Sequence, residues 1–412
     1  MGSNQVTAKL QNIRSILKGL LQYRQISRIE LANLTGLTTA TITNLVNELI
    51  NQGIAREEGV GKSVSPRVGR PRMVLELIPT ARYAIGVHIG IGEFHIVITD
   101  LLANIHQTIS IQYEICSDPE IVVLDMGDQI NKLIQLSRIP IDAIIGVGIG
   151  ASGLVNVETG MNVNAPNLCW RDVPIRDWVR QKTGLPVVVD NNVRLMCLAE
   201  SMFGIGKHVH SMAFIYARIG VGAGLVVNDN LYRGMAAGAG EIGHSIIIPD
   251  GGELCRCGNH GCLETLVSEP AIIRLAHQIA QANPQGILAK ELQNESLNPM
   301  EQIFSAAKTG DPEVLNMLKE RSRYFGIALA NLINILNPEM IVLGGLLAYG
   351  EASMLSEIQN TVKQCAFSHL GDAVQIRITS FGQKAGMIGA AALALNTFFY
   401  DFTNPADQEK LN

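Results

Sequence analysis

Two stretches of the chain resemble each other, and this internal repeat limits the possible folds more than any other feature of the sequence. Residues 84–100 (AIGVHIGIGEFHIVITD) and 212–230 (MAFIYARIGVGAGLVVNDN) each predict a strand, a glycine-containing turn and a second strand. Residues 141–155 predict another strand that runs into a turn. From Tyr83 onwards, short apolar runs alternate with helical segments, which is typical of α/β domains. The sequence therefore predicts a duplicated α/β body with a cleft between its halves.

Composition excludes the non-globular classes of protein. The 412 residues are 47% hydrophobic and 17% charged, so the chain can form two or three packed domains and is not a disordered one. The longest uncharged stretches, residues 324–338 and 385–400, are shorter than the roughly 18–20 apolar residues of a membrane span, and we expect both to be buried helices. The N-terminus shows no signal-peptide pattern. We therefore expect a cytoplasmic protein with no membrane partner.

The first 80 residues differ in charge from the rest of the chain. They contain ten Lys and Arg against five Asp and Glu, a net charge of +5, and the remaining 22 against 32 give −10. A basic segment ahead of an acidic body indicates a contact with nucleic acid or another anion, although a solvated basic face would have the same charge.

Residues 10–52 predict three helices separated by short breaks, the pattern of a helix-turn-helix. In the third helix, apolar residues at helical spacing turn inward and leave a polar face of short hydroxyl and amide side chains. Such a face suits the major groove of DNA, where Asn pairs with adenine and Thr supplies hydrogen bonds or a methyl contact. The residues predicted to contact DNA are Thr39, Ala40, Thr41, Thr43 and Asn44.

The segment that follows, residues 54–78, predicts a strand, a basic loop and a second strand, which is the form of a wing. Its loop carries four cations, Lys62, Arg67, Arg70 and Arg72, interleaved with glycine and proline. These residues can contact phosphates or an A·T-rich minor groove. The alternative is a flexible linker with scattered charges.

A dense group of metal-binding residue types lies at residues 240–266. Cys255, Cys257 and Cys262 with His244 form a Cys3His set, the donor type of closed structural zinc sites. We therefore predict a structural Zn²⁺ that pins a loop without regular structure. Free thiols, or His260 in place of His244, are the alternatives. The other four cysteines, Cys116, Cys169, Cys197 and Cys365, are expected to be buried thiols.

These residues also carry a family resemblance. GEIGH followed by CRCGNHGCLE resembles the signature of the ROK family of repressors and sugar kinases. Residues 164–168 (NAPNL), 220–224 (GVGAG) and 337–345 (NPEMIVLGG) match further family segments, so that the resemblance extends over nearly the whole chain. A winged helix-turn-helix ahead of such a body resembles the repressors of the NagC/XylR type.

The resemblance implies a fold, an assembly and a set of partners. The body would be a pair of actin-like, hexokinase-like lobes of ribonuclease H-like topology, assembled as a homodimer or homotetramer. The partners would be a two-fold symmetric DNA operator and a small sugar or sugar-phosphate effector. The implied domains are residues 1–80 for the winged helix-turn-helix, 81–190 with 384–412 for the first lobe, and 191–383 for the second lobe, which carries the zinc loop and the oligomerisation surface.

The resemblance also implies sugar-contacting residues. These are Gly153, Asn167, Asn192, Glu241, His244 and Glu264. Carboxylates accept hydrogen bonds from sugar hydroxyls, and an amide both donates and accepts. The alternative for Glu241 and Glu264 is a supporting role behind the metal ligands.

The sequence departs from the family's kinases at two positions. Where the kinases have an Asp in the first phosphate loop, this chain has His88, and Glu93 adds a negative charge nearby. Where they have the catalytic Asp, this chain has Asn192, and Asp190 lies two residues earlier. An amide cannot accept the proton of the sugar hydroxyl, so we predict a body that binds sugar without phosphorylating it. No catalytic residue is predicted.

Three functions remain open at this point. A repressor of sugar-utilisation genes that responds to a sugar is the first, an active ATP-dependent sugar kinase is the second, and a repressor controlled by a protein partner is the third. An activator in place of a repressor is also compatible with the sequence.

Overall fold

The computed structural model of the chain describes residues 2–59, 73–349 and 352–401. The chain divides into two compact units, residues 1–203 with 386–412 and residues 204–385. The second unit is therefore an insertion in the first. No helix in the described ranges is long and apolar enough to cross a membrane.

The chain begins with three helices, α1 (Gly2–Tyr23), α2 (Arg28–Thr35) and α3 (Thr39–Asn51). Ser27 begins α2 with a reciprocal cap, because its hydroxyl accepts from the Glu30 amide and the Glu30 carboxylate accepts from the Ser27 amide. Thr38 caps α3 by accepting from the Thr41 amide. The three helices predicted from the sequence are thus present, and the last two begin at polar capping residues.

Two antiparallel strands follow, β1 (Ala55–Gly59) and β2 (Met73–Leu77). They correspond to the two strands predicted for the wing. Leu75 of β2 is buried and pairs with Ile26 between α1 and α2, which attaches the strands to the helices. The basic loop predicted between them, with Lys62, Arg67, Arg70 and Arg72, lies outside the described residues.

The α/β part of the first unit contains a five-stranded sheet in the order β10-β6-β3-β4-β5. Strands β3, β4 and β5 are antiparallel neighbours, and β3, β6 and β10 are parallel. A small antiparallel sheet, β7-β8-β9, lies between β6 and β10 in the chain. In chain order the elements are β3 (Tyr83–Ile89), β4 (Glu93–Asp100), β5 (Ile105–Gln112), α4 (Pro119–Ser137), β6 (Ile144–Ala151), β7 (Leu154–Asn156), β8 (Met161–Ala165), β9 (Trp170–Val173), α5 (Ile175–Thr183), β10 (Val187–Asn191) and α6 (Asn192–Met202).

The second unit repeats this sheet topology. Its strand order is β13-β12-β11-β14-β15, with β11, β12 and β13 antiparallel and β11, β14 and β15 parallel. When the five strands of each sheet are numbered in chain order, both sheets have the order 3-2-1-4-5. The predicted duplication is therefore confirmed. The strands are β11 (Met212–Ala217), β12 (Val221–Val227), β13 (Asn230–Tyr232), β14 (Met340–Gly345) and β15 (Gln375–Ile378).

Helices cover the sheet of the second unit and share its core. Ile215, Leu343, Phe325 and Ile333 belong to one buried cluster, in which strand residues pack against the long helix α11. In chain order the helices are α7 (Leu263–Val267), α8 (Glu269–Ala282), α9 (Ile287–Glu291), α10 (Pro299–Lys308), α11 (Pro312–Leu336), α12 (Ala352–Cys365) and α13 (Leu370–Ala373).

The last helix, α14 (Ala385–Leu395), returns the chain to the first unit and packs on its sheet. The approach is close: a Cβ on Gly148 of β6 would lie 2.0 Å from the Ala390 carbonyl oxygen, and one on Gly86 of β3 would lie 2.5 Å from the Ala391 amide nitrogen. The sheet and helix backbones can meet only because these strand positions have no side chain. A π-helical turn, Asn396–Tyr400, continues α14.

The first unit also joins α1 to the end of this returning segment. The Asp401 carboxylate lies 3.3 Å from Lys18 Nζ and 3.8 Å from Arg14 Nη1. The preceding Tyr400 is fully buried, and its hydroxyl donates to the Leu101 carbonyl at 2.6 Å. The N-terminal helices are therefore connected to the α/β sheet through the chain segment that follows α14.

Two sequence expectations need correction. The boundary predicted between residues 190 and 191 lies instead after Phe203, because α6 packs against β6 and β10 of the first sheet. The four cysteines expected to be buried thiols also differ: only Cys197 is a buried thiol, while Cys365 is exposed and Cys116 and Cys169 form an exposed disulfide.

The contact between α14 and the first sheet predicts a strong steric effect. Gly148→Ala places a methyl group against the backbone of α14, so we expect a loss of about 3 kcal/mol in the free energy of unfolding, which corresponds to about 6–12 °C in the melting temperature. Scanning calorimetry measures this change. Gly238→Ala is the matched control, because its nearest atom outside the chain neighbours is 3.6 Å away. Equal melting temperatures for both variants would contradict the packing described.

Candidate functional site

The second unit brings four potential metal ligands together. His244, Cys255, Cys257 and Cys262 each offer one ligand atom, and these atoms all lie within 4.8 Å of one another. His244 ends a short helical turn in the segment after β13, and Cys262 immediately precedes α7. The Cys255 amide donates to the Asn259 carbonyl, which folds the intervening loop into a tight turn. The predicted donor set is thus assembled by a loop that has little regular structure of its own.

The distances within this set fit a tetrahedral ion. Around a zinc ion with bonds of about 2.3 Å to sulfur and about 2.0–2.1 Å to nitrogen, two sulfurs would lie about 3.8 Å apart and a sulfur and a nitrogen about 3.6 Å apart. Cys257 Sγ lies 3.7 Å from Cys262 Sγ, and Cys255 Sγ lies 3.6 Å from His244 Nδ1. Four such donors can hold a metal ion and leave no open coordination position.

The thiols of this set differ in acidity. Burial, together with the neighbouring Cys257 and Cys255, raises the pKa of the Cys262 thiol to about 12. A hydrogen bond from the Asn259 backbone amide lowers the pKa of the exposed Cys257 thiol. A divalent cation would displace these protons and stabilise the thiolates. The alternative ligand His260 is exposed, and its Nδ1 lies 3.0 Å from the Gly252 carbonyl oxygen, outside the set.

The two glutamates predicted beside this loop have different surroundings. Glu264 is half-buried: its Oε2 accepts from the Val221 amide at 3.0 Å, and its Oε1 lies 3.4 Å from Arg256 Nη2. These contacts hold α7, β12 and the cysteine loop together, as the supporting role left open for this residue requires. Glu241 is exposed, three residues before His244.

In the first unit, two predicted sugar contacts lie at one edge of the sheet. β6 and β10 are parallel neighbours, and Ala151 at the end of β6 is in register with Asn191 at the end of β10. Gly153 and Asn192 follow these strand ends, and the Asn191 side-chain amide donates to the Gly153 carbonyl at 3.0 Å. The carboxyl edge of parallel strands is where α/β sheets bind ligands.

Asn167 lies in a hairpin tip beside this edge. Residues 166–169 join β8 to β9, and the Leu168 amide donates to the Ala165 carbonyl at 2.9 Å. Leu168 and Trp170 are buried and anchor the tip, while Asn167 is half-buried. A Cβ on Gly153 would lie 2.3 Å from the Asn164 carbonyl oxygen, so the turn after β6 and the hairpin are in close contact. Gly153, Asn167 and Asn192 therefore share one region of the first unit.

The position that carries the phosphate-loop Asp in the kinases is occupied differently here. His88 is half-buried on β3, its ring is stacked on that of His95 with centroids 6.3 Å apart, and a Cβ on Gly386 of α14 would lie 2.7 Å from it. Glu93 lies at the same end of β4, 3.0 Å from Gln112 Nε2. The β3–β4 region therefore carries an imidazole and a carboxylate at the position where the resemblance to the kinases implies contacts to metal and phosphate.

Asp190 is unsuited to replace the missing base at position 192. Its carboxylate is completely buried, and it accepts from Arg194 Nε at 2.8 Å and from the Asn191 amide at 2.7 Å. A carboxylate paired with a guanidinium in the interior is turned away from solvent and from any ligand there. Sequence reasoning identified Asp190 but not this pairing, which joins the end of β10 to the first turn of α6.

The polar face predicted on α3 is present. Ile42, Leu45, Val46 and Leu49 are buried, which leaves the opposite face of the helix in solvent. On that face Thr39, Ala40, Thr43 and Asn44 are exposed and Thr41 is half-buried. The hydroxyl of Thr43 donates to the Thr39 carbonyl, and that of Thr41 lies 2.9 Å from the Thr38 hydroxyl. Asn44 thus has the longest polar side chain among the predicted DNA contacts on α3.

Arg28 is a positioning residue that sequence reasoning missed. Its guanidinium donates to the Asn47 side chain at 2.9 Å, to the Thr43 carbonyl at 3.2 Å and to Glu57 of β1 at 2.7 Å. It therefore connects α2, α3 and the first strand of the hairpin. These partners are 19, 15 and 29 residues away in sequence, and no local pattern indicates them.

Comparison with known proteins gives two kinds of relative. The sequence profile of the ROK family matches residues 84–397. A xylose repressor of Caldicellulosiruptor bescii is 31% identical over 396 residues, which cover 95% of this chain and 97% of that protein. A glucokinase of Halalkalibacterium halodurans is 35% identical over 273 residues, or 66% of this chain and 83% of the enzyme. The similarity to this repressor thus extends over nearly the whole chain, and the similarity to this glucokinase over two thirds of it.

A solved structure extends the same similarity to three dimensions. A ROK family transcriptional regulator, described as a homologue of the E. coli MLC protein, matches with a TM-score of 0.80 and 28% identity. The match covers 97% of this chain and 99% of that one. The N-terminal helices and the α/β units therefore both have counterparts in a single regulator.

The ligand geometry predicts that the loss of one thiol releases the metal. Cys257→Ser should reduce the metal content of the purified protein from about one ion per chain to nearly none, because three donors hold a structural ion poorly. Elemental analysis for zinc measures this directly. Cys365→Ser is the matched control, since Cys365 is an exposed thiol of the same unit outside the set. Unchanged zinc in Cys257→Ser would refute the site.

Proposed function

The chain belongs to the ROK family, and we propose that it is a transcriptional repressor of sugar-utilisation genes that releases its operator DNA when a sugar binds. The observation that carries this proposal is the extent of similarity: a xylose repressor matches 95% of the chain, whereas a glucokinase matches 66%. The ROK family profile matches residues 84–397 and leaves out the residues ahead of the α/β body. In this chain those residues begin with three helices, of which α2 and α3 are capped and α3 has an exposed polar face.

We propose that residues 1–80 act as a winged helix-turn-helix domain. In this reading α3 lies in the major groove with Asn44 and the threonines Thr39, Thr41 and Thr43 against base edges, and the loop with Lys62, Arg67, Arg70 and Arg72 contacts phosphates. Arg28 supports the arrangement, since it fixes α3 relative to α2 and β1. A homodimer would present two such domains to a two-fold symmetric operator.

Each unit is proposed to carry sugar-contacting residues, Gly153, Asn167 and Asn192 in the first and Glu241, His244 and Glu264 in the second. Amide and carboxylate groups match the hydroxyls of a sugar, and a zinc ion bound by His244, Cys255, Cys257 and Cys262 would fix the loop that bears three of them. Zinc is the proposed ion because thiolate and imidazole donors at tetrahedral spacing favour it. The proposed ligand is a neutral sugar or a sugar phosphate.

Catalysis is proposed to be absent. Phosphoryl transfer needs a carboxylate within reach of the sugar hydroxyl, and position 192 is an amide. Asp190 is buried in its pair with Arg194. His88, which packs against α14, occupies the position at which a kinase would have a carboxylate to contact the metal ion and the phosphate. The body would therefore bind sugar as a signal and leave it unchanged.

The proposed effect of sugar on DNA binding has a physical route within the first unit. The segment after α14 connects the sheet to α1 through Asp401 and its two cations, Arg14 and Lys18. A shift of α14 relative to the sheet would displace this segment and with it the N-terminal helices. Coupling of this kind typically changes a binding constant by about 5- to 150-fold.

The experiment that tests this function measures operator affinity in the presence of sugars. Duplexes enriched from random DNA by the protein itself would serve as the operator, and common sugars, amino sugars and their 6-phosphates as ligands, each with and without Mg-ATP. We expect one ligand to weaken DNA binding at least about tenfold, with no sugar-dependent release of ADP. A ligand that raises the melting temperature and leaves operator affinity unchanged would contradict the coupling. ADP release would indicate a kinase. If no sugar changed operator affinity, the result would indicate that a protein partner controls the repressor.

The groove assignment predicts a specific change in sequence preference. Asn44→Ala should relax the preference at one or two base pairs by about 1–3 kcal/mol, because a bidentate amide contact to adenine is lost. Asn51→Ala, at the C-terminal end of the same helix, is the control and should leave the preference intact. Competition binding with operators altered at single base pairs measures both. Equal behaviour of the two variants would mean that α3 does not enter the groove as proposed.

A further inference from the structure

The exposed disulfide between Cys116 and Cys169 lies outside the metal site and has no role in the proposed function. The two residues are 53 positions apart in sequence, and their Cα atoms are 5.0 Å apart. Both side chains are exposed, and both residues have left-handed backbone angles, with φ of 64° and 59°. The fold therefore brings two distant turns together at the surface with the separation that a disulfide requires.

The bond connects the hairpin tip that carries Asn167 to the loop after β5. Cys169 is the last residue of the tip 166–169, and its amide lies 3.3 Å from the Pro166 carbonyl. On the other side, Cys116 follows Tyr113, whose amide donates to the Gly92 carbonyl at 2.9 Å and whose hydroxyl donates to the Gly90 carbonyl at 2.5 Å. Burial raises the pKa of Tyr113 to about 12, so this hydroxyl keeps its proton. The disulfide thus connects the hairpin tip that carries Asn167 to a loop that is hydrogen-bonded to the β3–β4 turn.

Neither cysteine is needed for the core. The hairpin is anchored by Leu168 and Trp170, which are 1% and 2% exposed, and both belong to the buried cluster of the first sheet. Reduction of an exposed bond leaves no cavity and removes no apolar contact. It removes the covalent link between the hairpin tip and the β5–α4 loop. The two redox states can therefore share one fold and differ in the mobility of Asn167.

We propose that Cys116 and Cys169 form a reversible redox site that sets the mobility of the Asn167 hairpin tip, with small-molecule disulfides as the oxidant. One thiolate attacks the oxidant and forms a mixed disulfide with release of one small thiol. The second thiolate attacks the protein sulfur of that mixed disulfide, which forms the Cys116–Cys169 bond and releases the second small thiol. Overall, the two protein thiols lose two electrons and two protons, and the oxidant is reduced to two thiols. A dithiol reverses both steps.

Exposure makes this exchange possible, because both sulfurs can be reached from solvent. Buried Cys197 lacks such access, and Cys365 is exposed in the other unit. The oxidised form should hold Asn167 in place before a ligand arrives. Where the proposed sugar-binding function holds, that preorganisation should tighten sugar binding by about three- to tenfold.

The test compares the full-length protein after equilibration with oxidised glutathione and after dithiothreitol, with zinc content measured in parallel. Peptide mapping should show residues 116 and 169 cross-linked and lighter by two hydrogens in the first sample only. Hydrogen exchange of the peptide spanning residues 164–170 should then be slower in the oxidised form, about tenfold or more. Cys116→Ser should abolish this difference, and Cys365→Ser should preserve it.

The outcomes separate the redox site from the proposed sugar function. A protein that stays reduced in oxidised glutathione, or exchange at residues 164–170 that is equal in both forms, overturns the redox site. Sugar binding that is absent from both forms overturns the proposed function alone, since the cross-link and the exchange rates do not depend on it. Equal sugar affinity in two forms that differ in exchange overturns the claim that the tip controls the ligand.

Discussion

The close packing of α14 on the first sheet is the contact on which the rest of the structure depends. The whole second unit is inserted between α6 and this helix, so the first unit is complete only when the chain returns. The return is possible because Gly86 and Gly148 leave room for the helix backbone, and because the helix presents the small residues Ala390, Ala391 and Ala394 at the contact. The same helix presents Gly386 to the His88 ring and continues into the segment that reaches α1.

The chemistry of the site follows from which groups the fold leaves accessible and which it neutralises. The second unit concentrates three sulfurs and an imidazole at tetrahedral distances, and Glu264 braces that loop through Val221 and Arg256. In the first unit, Asp190 lies two residues before position 192, and its buried carboxylate pairs with Arg194. The accessible groups there are amides. Amides at the sheet edge and a buried, paired aspartate support the proposal that this body recognises hydroxyl groups without transferring their protons.

Much of this could be predicted from the sequence, for reasons that are local. The α3 face followed from the spacing of Ile42, Leu45, Val46 and Leu49, and the metal ligands followed from three cysteines close together with His244 eleven residues before the first. The repeat of strand, glycine turn and strand correctly predicted two sheets of one topology. The boundary after β10 was wrong because the packing of α6 against the first sheet has no signature within α6 itself. Arg28 was missed because its partners are 15 to 29 residues away.

By itself, the sequence determined the elements and the donor types, because periodicity, caps and residue chemistry are properties of neighbouring residues. Tertiary structure alone decided which distant residues meet. The pairing of Cys116 with Cys169 across 53 residues is the clearest case, since the sequence predicted a thiol at both positions and only the meeting of two turns brought these sulfurs together. The contact of Asp401 with α1 is another. Such contacts depend on how sheets and helices stack, and the free energy of that stacking comes from buried surface contributed by the whole chain, which no short segment encodes.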